Sequence, residues 1–173
     1  MEKLEDAADK LFNPEFLEIA RTQFAKNSHP LFNELKPEVL GVGEGRAVMR
    51  LPYDERFVGD PVSGSLHGGV IATLMDSVAG LCVMATIKLP VPIATLDLRM
   101  DYLRPTKRGE DIIAEVECYH FTKTVAFVRG YARQGDPLEP VAHCSASFML
   151  STKGPKAPEP GPFSSLVTQE DPK

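Results

Sequence analysis

The chain has 173 residues, 43% of them hydrophobic and 25% charged, with a formal net charge of -5. That length suits one domain with a buried core, and the composition is that of an ordinary globular protein. The acidic balance, with no basic arm or stripe, argues against general nucleic-acid binding, so any anionic ligand needs a local basic cluster.

Cys82, Cys118 and Cys144 are scattered, odd in number and without a CxxC pair. Neither a disulfide framework nor a zinc site is expected, and a reducing, cytoplasmic compartment is the simpler reading. The opening MEKLEDAADK is charged and lacks the apolar run of a signal peptide.

In chain order, Pro14 to Lys26 reads as an amphipathic helix. Pro14 suits a first turn, and Phe16, Leu17, Ala20 and Phe24 supply an apolar stripe. His29-Pro30 ends it, which makes residues 1–36 a helical extension. A strand pair is expected around Val39 to Leu51, with Gly41, Gly43 and Gly45 marking a turn or bulge. A long helix then starts near His67-Gly68-Gly69 and runs to about Lys88, where Pro90 and Pro92 stop it.

By length alone, Val70 to Ile87 could cross a bilayer. Its Ala, Gly, Ser and Thr content, its lack of aromatic residues and the acid at its middle, Asp76, point instead to the buried centre of a soluble domain. No membrane span is expected.

Four strands follow. Ala94, Leu96, Leu98, Met100 and Tyr102 alternate with Thr95, Asp97, Arg99 and Asp101, giving one dry face and one polar face. Ile112, Ala114, Val116 and Cys118 then oppose Glu115, Glu117 and Tyr119. The segment from Thr124 to Arg133 alternates less cleanly. The last sets Ala142, Cys144, Ala146, Phe148 and Leu150 against His143, Ser145 and Ser147. The short turns at 104–109 and 134–137 favour an antiparallel meander over helical crossovers. From residue 152 to 173 proline and glycine dominate, and a flexible tail is expected.

One long buried helix and four antiparallel strands with dry faces are both satisfied if a curved sheet wraps the helix. This α+β arrangement is the hotdog fold, here expected over residues 37–151.

The chemistry concentrates in the stretch from Gly59 to Asp76. A glycine pair opening a helix leaves approachable backbone N–H groups at the positive end of the helix dipole. Hydrolysis of a thioester develops negative charge on the carbonyl oxygen, and such donors suit an oxyanion hole, with the Gly69 N–H as candidate. Asp76 lies two helical turns further on and nearly the same face. Its carboxylate is a candidate general base toward water, or a nucleophile forming a mixed anhydride. Blander readings exist for each: a tight turn for Gly68-Gly69, a structural arginine partner for Asp76, a helix cap for His67.

The stretch Gly64-Ser65-Leu66-His67-Gly68-Gly69, followed by a helix carrying Asp76, resembles the PaaI-like acyl-CoA thioesterases of the 4-hydroxybenzoyl-CoA thioesterase superfamily. The similarity continues through Thr95-Leu96-Asp97, Asp101 to Pro105, Lys107 to Asp111 and Lys123 to Phe127. The resemblance implies a homodimer or homotetramer without a cofactor, its active site at the subunit interface. It implies Asp76 as catalytic carboxylate and Gly69 as oxyanion donor, commonly from different subunits. His67 would orient substrate or loop, and Thr95 would stand near the attacking water. Because Thr95 falls on the polar face of its strand, that role requires this face to meet a neighbouring subunit.

The chain departs from its relatives twice. Where they often carry Asn six residues before the motif His, this chain has Pro61, with Asp60 and Ser63 the nearest polar substitutes. Where they tend to have Gly before the Lys-Thr pair, it has Thr122. Coenzyme A phosphates need cations, and Arg104, Lys107 and Arg108 in one turn are the candidates, with Lys123 and the Gly68 amide as further contacts. Competing readings are a non-catalytic acyl-CoA binding hotdog protein, which Pro61 keeps open, and a hotdog dehydratase or hydratase, which would need a differently placed His and acid.

Overall fold

The computed structural model describes residues 14–23, 30–43, 45–87 and 92–150. The expected tail, and Phe24, Lys26, His29, Lys88 and Pro90, lie outside them. Among the described residues two helices come first, α1 (Pro14–Gln23) and α2 (Pro30–Leu35), then strands β1 (Glu38–Gly43) and β2 (Arg46–Leu51). A 3-10 turn over Glu55–Phe57 leads into a short ribbon, β3 (Val58–Asp60) and β4 (Ser65–Leu66). The long helix α3 (Gly68–Ile87) follows, then β5 (Ile93–Tyr102), β6 (Ile112–Phe121), β7 (Val125–Arg133) and β8 (Pro140–Leu150). Helix α2 and the ribbon carry no expectation from sequence, being too short for a periodic signal.

The main sheet has six antiparallel strands in the order β1-β2-β6-β7-β8-β5. Helix α3 touches all six. Six strands at about 4.8 Å spacing span roughly 24 Å, twice the width of a helix, so contact with every strand requires the sheet to curve round α3. This is the hotdog fold that the alternating strands implied.

The core is the seam between helix and sheet. Leu74, Met75, Val78, Leu81 and Val83 of α3 are essentially inaccessible, as are Met49, Leu51, Ile112 and Val128 from the strands. Each such side chain contributes about 1.5–3 kcal/mol on burial. By length and composition α3 could cross a membrane, but here the wrapped sheet takes its apolar surface. Burial pushes the Cys82 thiol up to about 12 and the Cys144 thiol up to about 11. Neither is a thiolate at neutral pH, which removes both as nucleophiles.

The two sheet edges differ. At β1, helix α1 packs alongside, with Ala20 buried and the Arg21 guanidinium reaching the Val39 carbonyl at 3.4 Å. At the other edge β5 offers ten residues, among the described residues uncovered, with Leu96 55% exposed. Long open edges of this kind invite pairing with another strand.

Strand β5 also corrects the sequence reading. Its register against β8 slips between Thr95 and Asp97, so Leu96 is an extra, bulged residue. A single extra residue inverts the alternation on one side of it. Thr95 pairs with buried Phe148 and faces the helix, while Leu98 and Met100, opposite Ala146 and Cys144, also face inward. Thr95 therefore does not share a face with Asp97 and Arg99, and Ala94 and Leu96 do not belong to the dry face.

Candidate active site

The ribbon before α3 is held by Asp60, whose carboxylate accepts from Val62 N at 3.0 Å, Ser63 N at 3.3 Å and the Ser63 hydroxyl. These bonds, the Ser63 hydroxyl foremost, hold the Asp60 carboxyl below its ordinary value. Asp60 and Ser63 are thus committed to their own turn and do not replace the side chain missing at Pro61. Gly59 lets the ribbon close: a Cβ there would stand 2.8 Å from the His67 Cα.

His67 is the N-cap of α3. Its carbonyl accepts from Val70 N at 2.9 Å, and its Nδ1 accepts from Gly69 N at 3.0 Å. The capping reading of His67 therefore describes this conformation, and the Gly69 N–H is engaged with it. An exposed imidazole on a short side chain is displaceable, so a ligand oxygen can compete for that N–H. Gly68 sits beneath the ring of Tyr102, whose hydroxyl donates to the Gly68 carbonyl at 2.7 Å.

Asp76, half-buried on α3, accepts a hydrogen bond from the Thr95 hydroxyl at 2.9 Å through Oδ1. The Leu96 bulge is what turns Thr95 toward the helix and makes this contact within one chain. None of the ion pairs among the described residues involves Asp76, and its Oδ2 accepts no hydrogen bond from them. A carboxylate with one oxygen fixed by a hydroxyl and the other open is equipped to take a proton from water or to attack a carbonyl.

Gly69 and Asp76 do not meet. Seven residues at 1.5 Å rise place them about 10.5 Å apart along the axis. A reacting carbonyl must lie within about 3 Å of both its oxyanion donor and its attacking group. One chain's pair cannot serve the same carbonyl.

Beside the helix start lies a cleft of about 360 Å³ lined by Leu66, Gly68, Ile71, Tyr102, Arg104 and Thr106, among others. It brings Arg104 to the opening of α3. Arg104 also pairs with Glu139 at 3.0 Å, and Arg108 lies over Gly64 and pairs with Glu55 at 3.0 Å. Among the described residues the Lys107 ammonium has no acidic partner, and Lys123 is exposed on the far β6–β7 turn. The structure thus groups Gly68, Arg104, Lys107 and Arg108 near one end of α3 and leaves Lys123 apart from that turn. Among the described residues no cluster of three His, Cys, Asp or Glu side chains is arranged to hold a metal.

Sequence reasoning missed three residues. Thr106, buried, accepts from Leu66 N at 2.8 Å, and its own N–H donates to Ser65 Oγ at 3.2 Å, tying the basic turn to the ribbon. Gln134, also buried, accepts from Lys107 N at 2.7 Å and donates to the Glu110 carbonyl at 2.8 Å. Neither residue carries a local sequence signal, since both look like ordinary turn residues. Tyr102 ends an apolar row, and its hydroxyl, where Phe would pack as well, is the only hint of a polar partner.

The hotdog fold thus carries a glycine-opened central helix with a hydroxyl-held carboxylate two turns along it. Comparison with known proteins gives the family. The thioesterase superfamily model matches residues 63–141. A medium/long-chain acyl-CoA thioesterase, YigI of Salmonella typhimurium, is 35% identical over 61% of this chain and 76% of its own. A putative esterase of Halobacterium salinarum is 37% identical over 57% of this chain and 66% of its own. A crystal structure of a Pseudomonas aeruginosa protein superposes with a TM-score of 0.67 at 38% identity, covering 78% of this chain and 98% of that one. The chain belongs to the thioesterase superfamily. It spans just under two thirds of the length of the first curated relatives it matches, 66% and 64%.

Proposed function

We propose that this protein hydrolyses acyl-CoA thioesters to a free acid and coenzyme A, as a cytoplasmic homodimer or homotetramer whose hotdog domain occupies residues 37–151. The observation that carries the reading is the Asp76 carboxylate, held at Oδ1 by Thr95 and, among the described residues, open at Oδ2, on the central helix of a thioesterase-superfamily fold. In this reading Asp76 removes a proton from water, or attacks the thioester carbon itself. The Thr95 hydroxyl keeps the carboxylate aimed, and the Gly69 N–H of a second copy stabilises the developing oxyanion once His67 yields it.

The axial separation of Gly69 and Asp76 and the open edge of β5 support the second copy. Pairing β5 with its counterpart would run the two α3 helices past one another in opposite directions, bringing the start of each toward the middle of the other. A C2 interface of this kind is self-complementary.

Released thiol, followed over short-chain, long-chain and aromatic acyl-CoAs, tests the reading. Turnover of at least one class supports it. Tight acyl-CoA binding without thiol release would replace it by a binding protein, and hydration of an enoyl-CoA without thiol release by a hydratase.

The basic turn gives a second expectation. Replacing Arg104, Lys107 and Arg108 together by Gln should weaken acyl-CoA binding roughly tenfold, since exposed charge contacts contribute up to about 1 kcal/mol each. The same acyl group on a short pantetheine thioester, which lacks the nucleotide phosphates, should bind as before. Lys107 should account for the largest share, because Arg104 and Arg108 already have acidic partners. Comparing KM for the two substrates checks this; equal losses would place the nucleotide elsewhere.

A further inference from the structure

The peptide between Gly68 and Gly69 is held from both of its polar ends: the Tyr102 hydroxyl donates to its carbonyl at 2.7 Å, and its N–H points to His67 Nδ1 at 3.0 Å. We propose that Tyr102 is a positioning residue for the oxyanion donor, orienting and polarising the one peptide group whose N–H receives the thioester oxygen. This rests on the thioesterase reading given above and adds to it the residue that prepares the donor.

Three observations carry it. First, the hydroxyl and the N–H act on the same peptide unit. Withdrawing electron density at a carbonyl oxygen makes the N–H of that unit a stronger donor, the cooperative effect seen in hydrogen-bond chains. Second, the contact is built rather than incidental. The Tyr102 ring covers Gly68 so closely that a Cβ there would come within 3.1 Å of the ring, so the glycine and the tyrosine define one another's position. Third, Tyr102 is the last residue of β5, on the open sheet edge. Its ring also lines the cleft beside the helix start, together with Arg104 and Ile71. A single side chain thus joins the edge available to a second copy, the cleft and the helix opening. Partial burial raises the Tyr102 hydroxyl above the ordinary phenol range, so it remains a donor through neutral and mildly alkaline pH.

The hydroxyl does not touch the reacting carbon in this arrangement. Its removal should therefore act on the rate through the Gly69 N–H and leave ground-state binding of the acyl group nearly unchanged.

Tyr102→Phe keeps the ring over Gly68 and removes only the hydroxyl. Expected are a fall in kcat of roughly three- to tenfold, a KM within about twofold of the parent, and an unchanged oligomer. A trifluoromethyl ketone analogue of the acyl-CoA, which presents an oxyanion-like oxygen, should lose affinity in parallel with kcat. The thioether analogue, which has no carbonyl, should bind as in the parent. Replacing Tyr102 by 3-fluorotyrosine, which restores a slightly stronger donor on the same ring, should recover the rate. In an amide spectrum of the Phe variant, the Gly69 N–H should move upfield. Unchanged kcat with an unmoved Gly69 resonance would overturn the proposal, as would equal losses for the ketone and thioether analogues. If Tyr102→Phe lowers stability, the 3-fluorotyrosine protein still decides: a fall in kcat there overturns the proposal. Failure of the underlying reading looks different, since the parent protein would then release no thiol from any acyl-CoA.

Discussion

Asp76→Asn should lower kcat for acyl-CoA hydrolysis by about 10²–10⁴-fold while KM, fold and oligomer stay near those of the parent. Asn keeps an oxygen that can accept from the Thr95 hydroxyl, now 2.9 Å from Oδ1. What it loses is the capacity to take a proton from water or to attack as a carboxylate. A purely structural Asp76 would need a cation to balance it, and none of the ion pairs among the described residues includes it. The melting temperature should therefore shift little, because no buried charge is left alone when the carboxylate becomes an amide. Turnover and thermal unfolding measured on one preparation check both halves. Near-parental turnover would remove Asp76 from the chemistry, and a large loss of stability with surviving specific activity would assign it to the scaffold.

The second large effect is a rescue. Gly69→Pro deletes the N–H proposed as oxyanion donor, and loss of one such donor costs about 10²–10³-fold in kcat. At the Cβ position the substitution is mild: a Cβ at Gly69 would meet only the His67 ring, at 3.0 Å, which is exposed and can swing outward. Proline is also tolerated in a first helical turn. Alone, Gly69→Pro and Asp76→Asn should each be nearly inactive. If each site takes its N–H from one copy and its carboxylate from the other, a mixed dimer contains one site with both groups intact. Random assortment of the two variants makes half the dimers mixed, each with one working site of two, so activity should recover to roughly a quarter of the parental value in the mixture and roughly half in the isolated mixed dimer. Co-expression with two affinity tags, isolation of the mixed species and a thiol-release assay measure it. No recovery above the separate variants would mean that Gly69 and Asp76 do not act on the same thioester.

Much of the fold could be read from local pattern. The limits of α3 follow from a glycine pair at one end and prolines beyond the other; β8 keeps the alternation that its sequence displays, and β6 keeps it as far as Cys118. What escaped was decided by partners distant in the chain. The bulges at Leu96 and Tyr119 arise where one strand runs a residue longer than its neighbour, and nothing in either strand alone marks the place. In the candidate site, Gly69 and His67 could be picked out from the helix opening, Asp76 as the lone charge two turns along that helix, and Thr95 from the resemblance. The relation between them could not. That Thr95 faces Asp76 depends on the bulge, and that His67 occupies the Gly69 N–H depends on a cap geometry that several side chains could have supplied. The partners of Arg108 and Arg104, Glu55 and Glu139, lie 53 and 35 residues away in sequence, beyond any helical or strand period.

The bulge at Leu96 divides β5 into two reading frames. Before it, odd-numbered positions Ile93 and Thr95 look inward; after it, even-numbered positions Leu98, Met100 and Tyr102 do. A mutagenesis library designed to alter acyl preference by strict alternation would randomise Ala94 and Leu96, which face away from the helix, and would leave Ile93 untouched. Aligning this strand with a relative that lacks the extra residue would likewise match inward positions to outward ones over half its length. Deleting the Leu96 codon would merge the two frames into one regular strand, leaving Ile93, Thr95, Leu98, Met100 and Tyr102 opposite the β8 residues they pair with now. The carboxylate would keep its hydroxyl and the helix opening its tyrosine, so the bulge shifts the numbering of the strand and not the placement of the site.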